Sequence, residues 1–220
     1  MKSRILCILF LLFTIAINAE NIEVPRLSPL PVRVMNERVA LSGKWLFNPA
    51  PEPEFWEKES VRKWKNIEVP GEWVMQGFEV EKGKAAGYFR TFTIPAAWQG
   101  QRVKLRCNGV YSDAQVYING KKAGSHLGGF TAFELDVTDL VRVGAENCIA
   151  MAVTSETIAD STSNASRYAV HPLGGITRDI FLFALPETNL SMFHVSTSFD
   201  STYTDAKLTA DGNTAEDVFA

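Results

Sequence analysis

The alternation of apolar and polar residues between Gly87 and Val153 is the most informative pattern in this chain. In RVKLRC at Arg102–Cys107, apolar side chains recur at every second position, which is the period of a strand with one buried face. Asn108-Gly109 and Asn119-Gly120 follow such runs, and both pairs tolerate the positive φ angles of tight hairpin turns. The pattern predicts an all-β fold, with strands expected at Arg38–Phe47, Tyr88–Ile94, Arg102–Asn108, Asp113–Ile118, Phe130–Val137, Asn147–Thr154 and Ile176–Leu185, and a short extended segment at Asn66–Pro70.

Individual apolar residues within and around these strands are expected to form the core. Val116 and Ile118 alternate with Tyr117, so the first two should face the interior and Tyr117 the opposite side of the strand. Burial is also expected for five aromatic residues, namely Trp45, Trp73, Trp98, Phe130 and Phe133.

The segments between the strands have their own signals. Pro51–Lys65 carries aromatic residues at spacings that favour one or two helical turns. Asp136–Val141 predicts a short turn with Thr138 as a local cap. Gln76–Ala86 is polar and contains glycine, and Ser155–Ser166 is rich in serine and threonine, so both are predicted as loops.

The first residues have the pattern of a targeting segment. Lys2 and Arg4 precede an apolar run at Ile5–Ile17, and Ala19 is suited to the position before a cleavage site. Residues 1–19 are therefore predicted to be a signal peptide, with an uncleaved anchor as the alternative, and the protein is expected in the periplasm or outside the cell. Residues 20–37 are expected to form an extended leader.

Pro186 is predicted to mark a domain boundary. Asn189–Phe199 and Ala206–Ala210 have strand patterns, but 186–220 is too short to bury a core, since a sandwich domain needs ~100 residues. This segment is therefore expected to begin an incomplete second β-sandwich.

Composition excludes some function classes. The 220 residues carry a formal net charge of -3, and no basic stripe with interleaved aromatic residues is present to follow a phosphate backbone. Nucleic acid is therefore not an expected partner, and no membrane span is expected beyond the first segment.

Cys107 and Cys148 could form a disulfide or remain two buried thiols, and the thiols are favoured. No cofactor or metal is predicted, and the oligomeric state is not predicted.

Five longer stretches carry a family pattern, and they occur in this order: LSGKWLFNP at Leu41–Pro49, IEVPGEW at Ile67–Trp73, GYFRTFTIP at Gly87–Pro95, LRCNGVYSDAQVYINGKKAGSHLGGFTAFELDVTDLV at Leu105–Val141, and HPLGGITRDIFLFALP at His171–Pro186. Together they resemble the N-terminal sugar-binding domain of glycoside hydrolase family 2, which includes β-galactosidases and β-glucuronidases. The resemblance implies a galactose-binding-like jelly-roll β-sandwich at 38–185, followed by the start of an immunoglobulin-like sandwich at 186–220.

The resemblance also places catalysis outside this chain. In that family a retaining mechanism uses two carboxyl groups about 5–5.5 Å apart, and both lie in a later barrel domain. The acidic pairs here are interpreted as solvated surface groups, and no catalytic residue is nominated. These pairs are Glu134 with Asp136, Asp136 with Asp139, and Glu79 with Glu81.

A loop of the family's first domain reaches over the barrel, and here it holds Arg167, Tyr168 and His171. Arginine could bind carboxylate or hydroxyl oxygens, tyrosine could stack on a sugar ring, and histidine could donate a hydrogen bond. The alternative is that Arg167 and Tyr168 brace a domain interface. The galactosidase branch has an aspartate roughly at the position of Arg167, so this departure is better suited to a negatively charged or differently substituted sugar.

The sequence therefore predicts the N-terminal, non-catalytic portion of an exported family 2 glycoside hydrolase that acts on oligosaccharides. Alone, this chain is expected to be inactive. The alternative is a stand-alone carbohydrate-binding module without hydrolase activity.

Overall fold

The computed structural model describes residues 38–57, 61, 63–163 and 173–214. These residues form an all-β architecture with one short helix, α1, at Ile158–Ser163. The strands are β1 (Arg38–Ala40), β2 (Gly43–Asn48), β3 (Lys65–Val69), β4 (Ala85–Thr93), β5 (Arg102–Cys107), β6 (Val110–Tyr111), β7 (Asp113–Ile118), β8 (Lys121–Leu127), β9 (Phe133–Asp136), β10 (Glu146–Thr154), β11 (Gly175–Ile176), β12 (Ile180–Leu185), β13 (Leu190–Phe199) and β14 (Ala206–Thr214).

Two antiparallel sheets make up the body of the fold. One has the strand order β1-β12-β5-β9, and the other has the order β3-β2-β4-β10-β7-β8. β6 and β11 pair separately, as do β13 and β14. The prediction of an all-β fold is confirmed.

The interior is built from the alternating residues of both sheets. Val116 and Ile118 are fully buried in this core, as predicted. Trp45, Trp73 and Trp98 are also buried, and the indole nitrogen of Trp45 donates to the Leu41 carbonyl at 2.7 Å. This hydrogen bond satisfies the polar atom that a buried tryptophan would otherwise leave without a partner.

A second apolar cluster lies on the other face of the six-stranded sheet. Tyr117 is 7% exposed there and stacks on Trp56, with ring centroids 3.8 Å apart and planes 6° apart. Phe55 begins a 3₁₀ turn at Phe55–Glu57 and is buried in the same cluster. The predicted helical turn in Pro51–Lys65 is confirmed for these residues, while 58–60 and 62 lie outside the described residues.

The predicted first strand, Arg38–Phe47, is wrong because the chain changes sheets within it. β1 pairs with β12, whereas β2 pairs with β3 and β4. Gly43 has a φ of +110°, a conformation that side chains with a Cβ rarely adopt, and this residue starts β2 in the second sheet.

The two Asn-Gly pairs differ from each other. Asn119 and Gly120 have φ angles of 51° and 81° and join β7 to β8, which confirms the predicted hairpin. Asn108 and Gly109 do not form a hairpin, because β5 and β6 do not pair. Instead the Asn108 amide donates to the Asp179 carbonyl, and the Gly109 carbonyl accepts from Thr177 and Arg178.

Three further expectations need correction. Phe130 is 53% exposed rather than buried, whereas Phe133 packs against the core as a half-buried side chain. The predicted loop Ser155–Ser166 contains α1. The predicted strand Ile176–Leu185 is divided into β11 and β12, since residues 177–179 bond to the Asn108-Gly109 turn.

Cys107 and Cys148 carry free thiols, as favoured from the sequence, but only Cys107 has the predicted full burial, and Cys148 is half-buried. Cys107 is buried, and that burial raises the pKa of its thiol above the usual range. Among the described residues no helix is long and apolar enough to cross a membrane.

Candidate functional site: the edge beside residues 164–172

The three predicted sugar-contacting residues, Arg167, Tyr168 and His171, lie outside the described residues. Both flanks of that segment are described, however. α1 ends at Ser163 and β11 begins at Gly175, so the structure shows what holds each end. We refer to the described surroundings, residues 111–112, 129–130, 155–163 and 173–176, as the loop edge.

The first flank is fixed by hydroxyl groups near the start of α1. The Thr157 side-chain oxygen accepts from the Ala159 amide at 3.2 Å, which places threonine in the capping role it favours. Ser112 is fully buried, lies 2.6 Å from that same oxygen, and donates to the Ser155 carbonyl at 2.6 Å. These contacts tie the residues before α1 to the end of β6.

A tyrosine–aspartate hydrogen bond anchors α1 itself. Tyr111 is 1% exposed, and its hydroxyl donates to the Asp160 carboxylate at 2.5 Å. The residues are 49 positions apart in the chain, so this contact depends on the tertiary fold. Sequence reasoning did not identify Tyr111, Ser112 or Asp160. The signal was present, because Tyr111 and Ser112 belong to the quoted NGVYSDAQVYING run.

The exposed ring of Phe130 follows from packing against Tyr111. A Cβ on Gly129 would come within 2.1 Å of the Tyr111 ring, so the backbone there lies directly against that ring. The Phe130 ring packs edge-on to Tyr111, with ring centroids 5.3 Å apart. An exposed aromatic ring is therefore available at the loop edge.

The second flank is fixed by the glycines of the GGI motif. The Gly174 carbonyl accepts from the Trp73 amide at 3.1 Å, and a Cβ on Gly174 would lie 2.1 Å from the Trp73 ring. Gly175 has a φ of +116° and lies against the hydroxyl of the fully buried Tyr88, whose pKa is raised by that burial. In this part of the motif the glycines serve close packing, and Ile176 is fully buried in the core.

An ion pair connects a neighbouring loop to the same edge. Lys82, in the predicted loop Gln76–Ala86, lies 2.5 Å from the carboxylate of Glu156, just before α1. The interaction with Glu156 raises the pKa of Lys82 above its ordinary value. Both groups are accessible to water, so the ion pair adds little to stability, and its main effect is to hold the loop beside the start of α1.

Two of the three acidic pairs considered from the sequence lie away from this edge, on the four-stranded sheet and the turn that follows it. Glu134 accepts from Arg106 at 2.7 Å, and Asp136 accepts from Arg102 at 2.8 Å. Burial opposes the ionisation of Asp136, but hydrogen bonds from Thr138 and Arg102 outweigh it, so the pKa of this carboxyl is below its usual value. Carboxylates committed to such partners are poor candidates for acid or base catalysis.

Among the described residues, no group of three or more His, Cys, Asp or Glu side chains is arranged to hold a metal ion. What the loop edge offers chemically is one exposed aromatic ring, Phe130, beside two flanks that are fixed by hydrogen bonds and close packing.

The fold defines a class: all-β sandwich domains built from two antiparallel sheets. The family follows from comparison. Residues 80–186 match the family model described as "Glycosyl hydrolases family 2, sugar binding domain", so this part of the chain is a domain of that family.

Named relatives agree with this assignment. The chain is 28% identical over 198 residues to a β-galactosidase of Priestia megaterium, covering 77% of this chain and 19% of that protein. It is 31% identical over 138 residues to a β-glucuronidase of Bacteroides fragilis, covering 58% of this chain and 19% of that protein. The chain thus spans about a fifth of the length of these curated relatives.

Solved structures show the same fold. A β-glucuronidase from an uncultured Clostridium species superposes with a TM-score of 0.67 at 24% identity. The match covers 81% of this chain and 34% of that structure. The expected family resemblance is confirmed.

Proposed function

We propose that this chain forms the N-terminal, non-catalytic, sugar-contacting portion of an exported family 2 glycoside hydrolase that cleaves O-glycosyl bonds. The observation that carries this proposal is the match of residues 80–186 to a sugar-binding domain family. The alignment coverage also supports the proposal, because the chain matches only 19% of the β-galactosidase of Priestia megaterium. Most of such a protein therefore consists of other domains. The bond-breaking carboxylates are assigned to those domains.

The contribution of this chain is to position part of the substrate. Arg167, Tyr168 and His171 belong to a segment whose two flanks are held by buried partners, Tyr111 on one side and Trp73 on the other. The guanidinium of Arg167 is suited to the carboxylate of a uronic acid.

Export rests on the first residues of the sequence. The basic pair Lys2 and Arg4, the apolar run and Ala19 are the pattern of a cleaved signal peptide. We therefore assign the mature protein to the periplasm or the exterior of the cell.

The test is a titration of the purified chain with methyl β-D-glucuronide, followed by NMR. We expect binding in the millimolar range, with shifts at Phe130, Ala159 and Gly175. Arg167→Ala should weaken this binding at least about fivefold, since an arginine–carboxylate contact is worth roughly 1–3 kcal/mol. Lys65→Ala, which removes an exposed cation on β3, is the matched control. Equal affinities of the two variants would contradict the assigned role.

A further inference from the structure

A groove on the outer face of the six-stranded sheet is separate from the loop edge in its lining residues. It encloses about 590 Å³ between the segment Pro49–Trp56 and the loop Glu79–Lys84. Its floor is formed by Ala85, Gln115 and Ala152, which are small or medium-sized residues of β4, β7 and β10. A volume of this order is in the range of pockets that hold small molecules.

One wall of the groove is apolar and rigid. Phe55 and Trp56 stand at its end, and three prolines, at 49, 51 and 53, form its side. Trp56 is held by stacking on Tyr117 and by an edge contact with Phe55, with centroids 5.3 Å apart. Pyranose rings carry apolar C–H patches, and a preorganised aromatic and proline surface can bury these patches at little conformational cost.

The opposite wall and the floor carry polar atoms that have no partner among the described residues. Within the described part of the chain, Glu79, Glu81 and Lys84 make no ion pair or side-chain hydrogen bond. Gln115 accepts from the Tyr117 hydroxyl at 3.2 Å, and its amide nitrogen has no acceptor there. This contrasts with Arg102, Arg106 and Lys82, each of which is paired with a carboxylate.

The charge of the lining selects among ligands. Two carboxylates, Glu79 and Glu81, lie beside one cation, Lys84, so the loop side of the groove has a net negative charge. Carboxylates accept hydrogen bonds from sugar hydroxyls, an amide both donates and accepts, and a further anion would be repelled. The lining therefore favours an uncharged pyranose and disfavours a uronic acid, which is the reverse of the preference assigned to Arg167.

We propose that this groove is a second carbohydrate site, which binds a neutral hexopyranose unit independently of the loop edge. The sugar packs a C–H face on the wall of Pro51 and Trp56 and places its hydroxyls against Glu79, Glu81 and Gln115. The site goes beyond the proposed function, because it needs neither residues 164–172 nor a catalytic domain.

The experiment is an NMR titration of the whole chain with methyl β-hexopyranosides of gluco, galacto and manno configuration, each compared with its 6-carboxylate counterpart. We expect at least one neutral glycoside to shift the amides of Ala85, Gln115 and Ala152, with millimolar affinity. The matching uronide should shift these amides at least about fivefold more weakly, because it adds an anion to an acidic groove. Shifts of the groove amides by uronide and neutral glycoside alike would overturn the proposal, as would no groove shift with any neutral sugar.

Variants then separate this site from the loop edge. Replacing both Glu79 and Glu81 with Gln should weaken neutral-sugar binding at least about threefold, because a neutral amide oxygen accepts a weaker hydrogen bond than a carboxylate oxygen does. Glu146→Gln is the control, since it removes one exposed carboxylate at the far end of β10. Arg167→Ala should leave the shifts of the groove amides unchanged. The experiments can therefore contradict one of the two proposed sites without contradicting the other. Binding of a proline-rich peptide to the groove amides when no sugar shifts them would also overturn the assignment.

Discussion

The sandwich at 38–185 and the hairpin of β13 and β14 have the same alternating pattern but opposite environments. In the sandwich the alternating apolar residues are buried, and Leu105, Val116 and Ile149 have no exposed surface. In the hairpin Phe199 is 59% exposed and Leu208 is 68% exposed. A strand pattern predicts the backbone conformation, but stability comes from the apolar area that a second layer removes from water.

The hairpin is amphipathic in its own right. The register pairs Val195 with Ala210 and Thr197 with Leu208, so these residues share one face with Phe199. The intervening residues include His194, Lys207 and Asp211, which define a polar face. The prediction that 186–220 begins a second sandwich remains a prediction, and the exposed apolar face is the structural feature that supports it.

The largest difference between the two regions is expected from truncating one aromatic residue in each. Trp45→Ala should lower the free energy of unfolding by about 4 kcal/mol, because it leaves a cavity and removes the hydrogen bond to Leu41. Phe199→Ala should change it by less than about 0.5 kcal/mol. Urea unfolding followed by circular dichroism measures both. Comparable losses in the two variants would mean that the hairpin shares the core of the sandwich.

Close packing at the loop edge provides a sharper test within the sandwich. Gly174→Ala should cost about 2–3 kcal/mol, because the added methyl group would overlap the Trp73 ring. Gly100→Ala is the control, since no atom lies within 4 Å of its Cβ position and the cost is the positive φ alone, about 1 kcal/mol. Thermal unfolding compares them. A smaller loss for Gly174→Ala than for Gly100→Ala would exclude the tight contact.

A pH effect should distinguish the regions next. The folded-state pKa of Asp136 is depressed, so its contribution to stability is present above the ordinary aspartate pKa of ~3.9 and is lost as the pH falls through the folded value. Asp136→Asn should therefore cost about 1 kcal/mol at pH 7 and less as the pH decreases. Asp211→Asn, which removes one exposed carboxylate from the hairpin, is the control. Urea midpoints measured at several acidic pH values give the difference in stability between Asp136→Asn and the parent chain. A stability difference that grows as the pH falls would contradict the prediction.

The smallest effect on stability is expected on the apolar face of the hairpin. Leu208→Lys should leave the unfolding of the sandwich unchanged but reduce self-association, because a charge interrupts an exposed apolar surface. Thr209→Lys places the same charge on the polar face. Sedimentation at several concentrations compares the two variants with the parent chain. Equal self-association of all three would show that the apolar face is not adhesive.

Local pattern was sufficient for much of the sandwich. The strand Asp113–Ile118 was predicted with the bounds that are observed, and Asn119-Gly120 correctly predicted the hairpin that follows it. Both features depend on only a few consecutive residues. α1 was missed because its serine and threonine content favours a loop, while its anchors, Tyr111 and Ser112, are more than 40 residues away. The exposure of Phe130 was missed because it depends on a tertiary contact, in which the Tyr111 ring lies directly against Gly129.

The central claim is that this chain contacts sugar but does not cleave it. The most direct test is to assay the purified 220-residue chain with nitrophenyl β-galactoside and nitrophenyl β-glucuronide, while following sugar binding by NMR in the same preparation. The account predicts binding without release of nitrophenol above the uncatalysed rate. Release that scales with protein concentration and disappears when a carboxylate of this chain is replaced would contradict it.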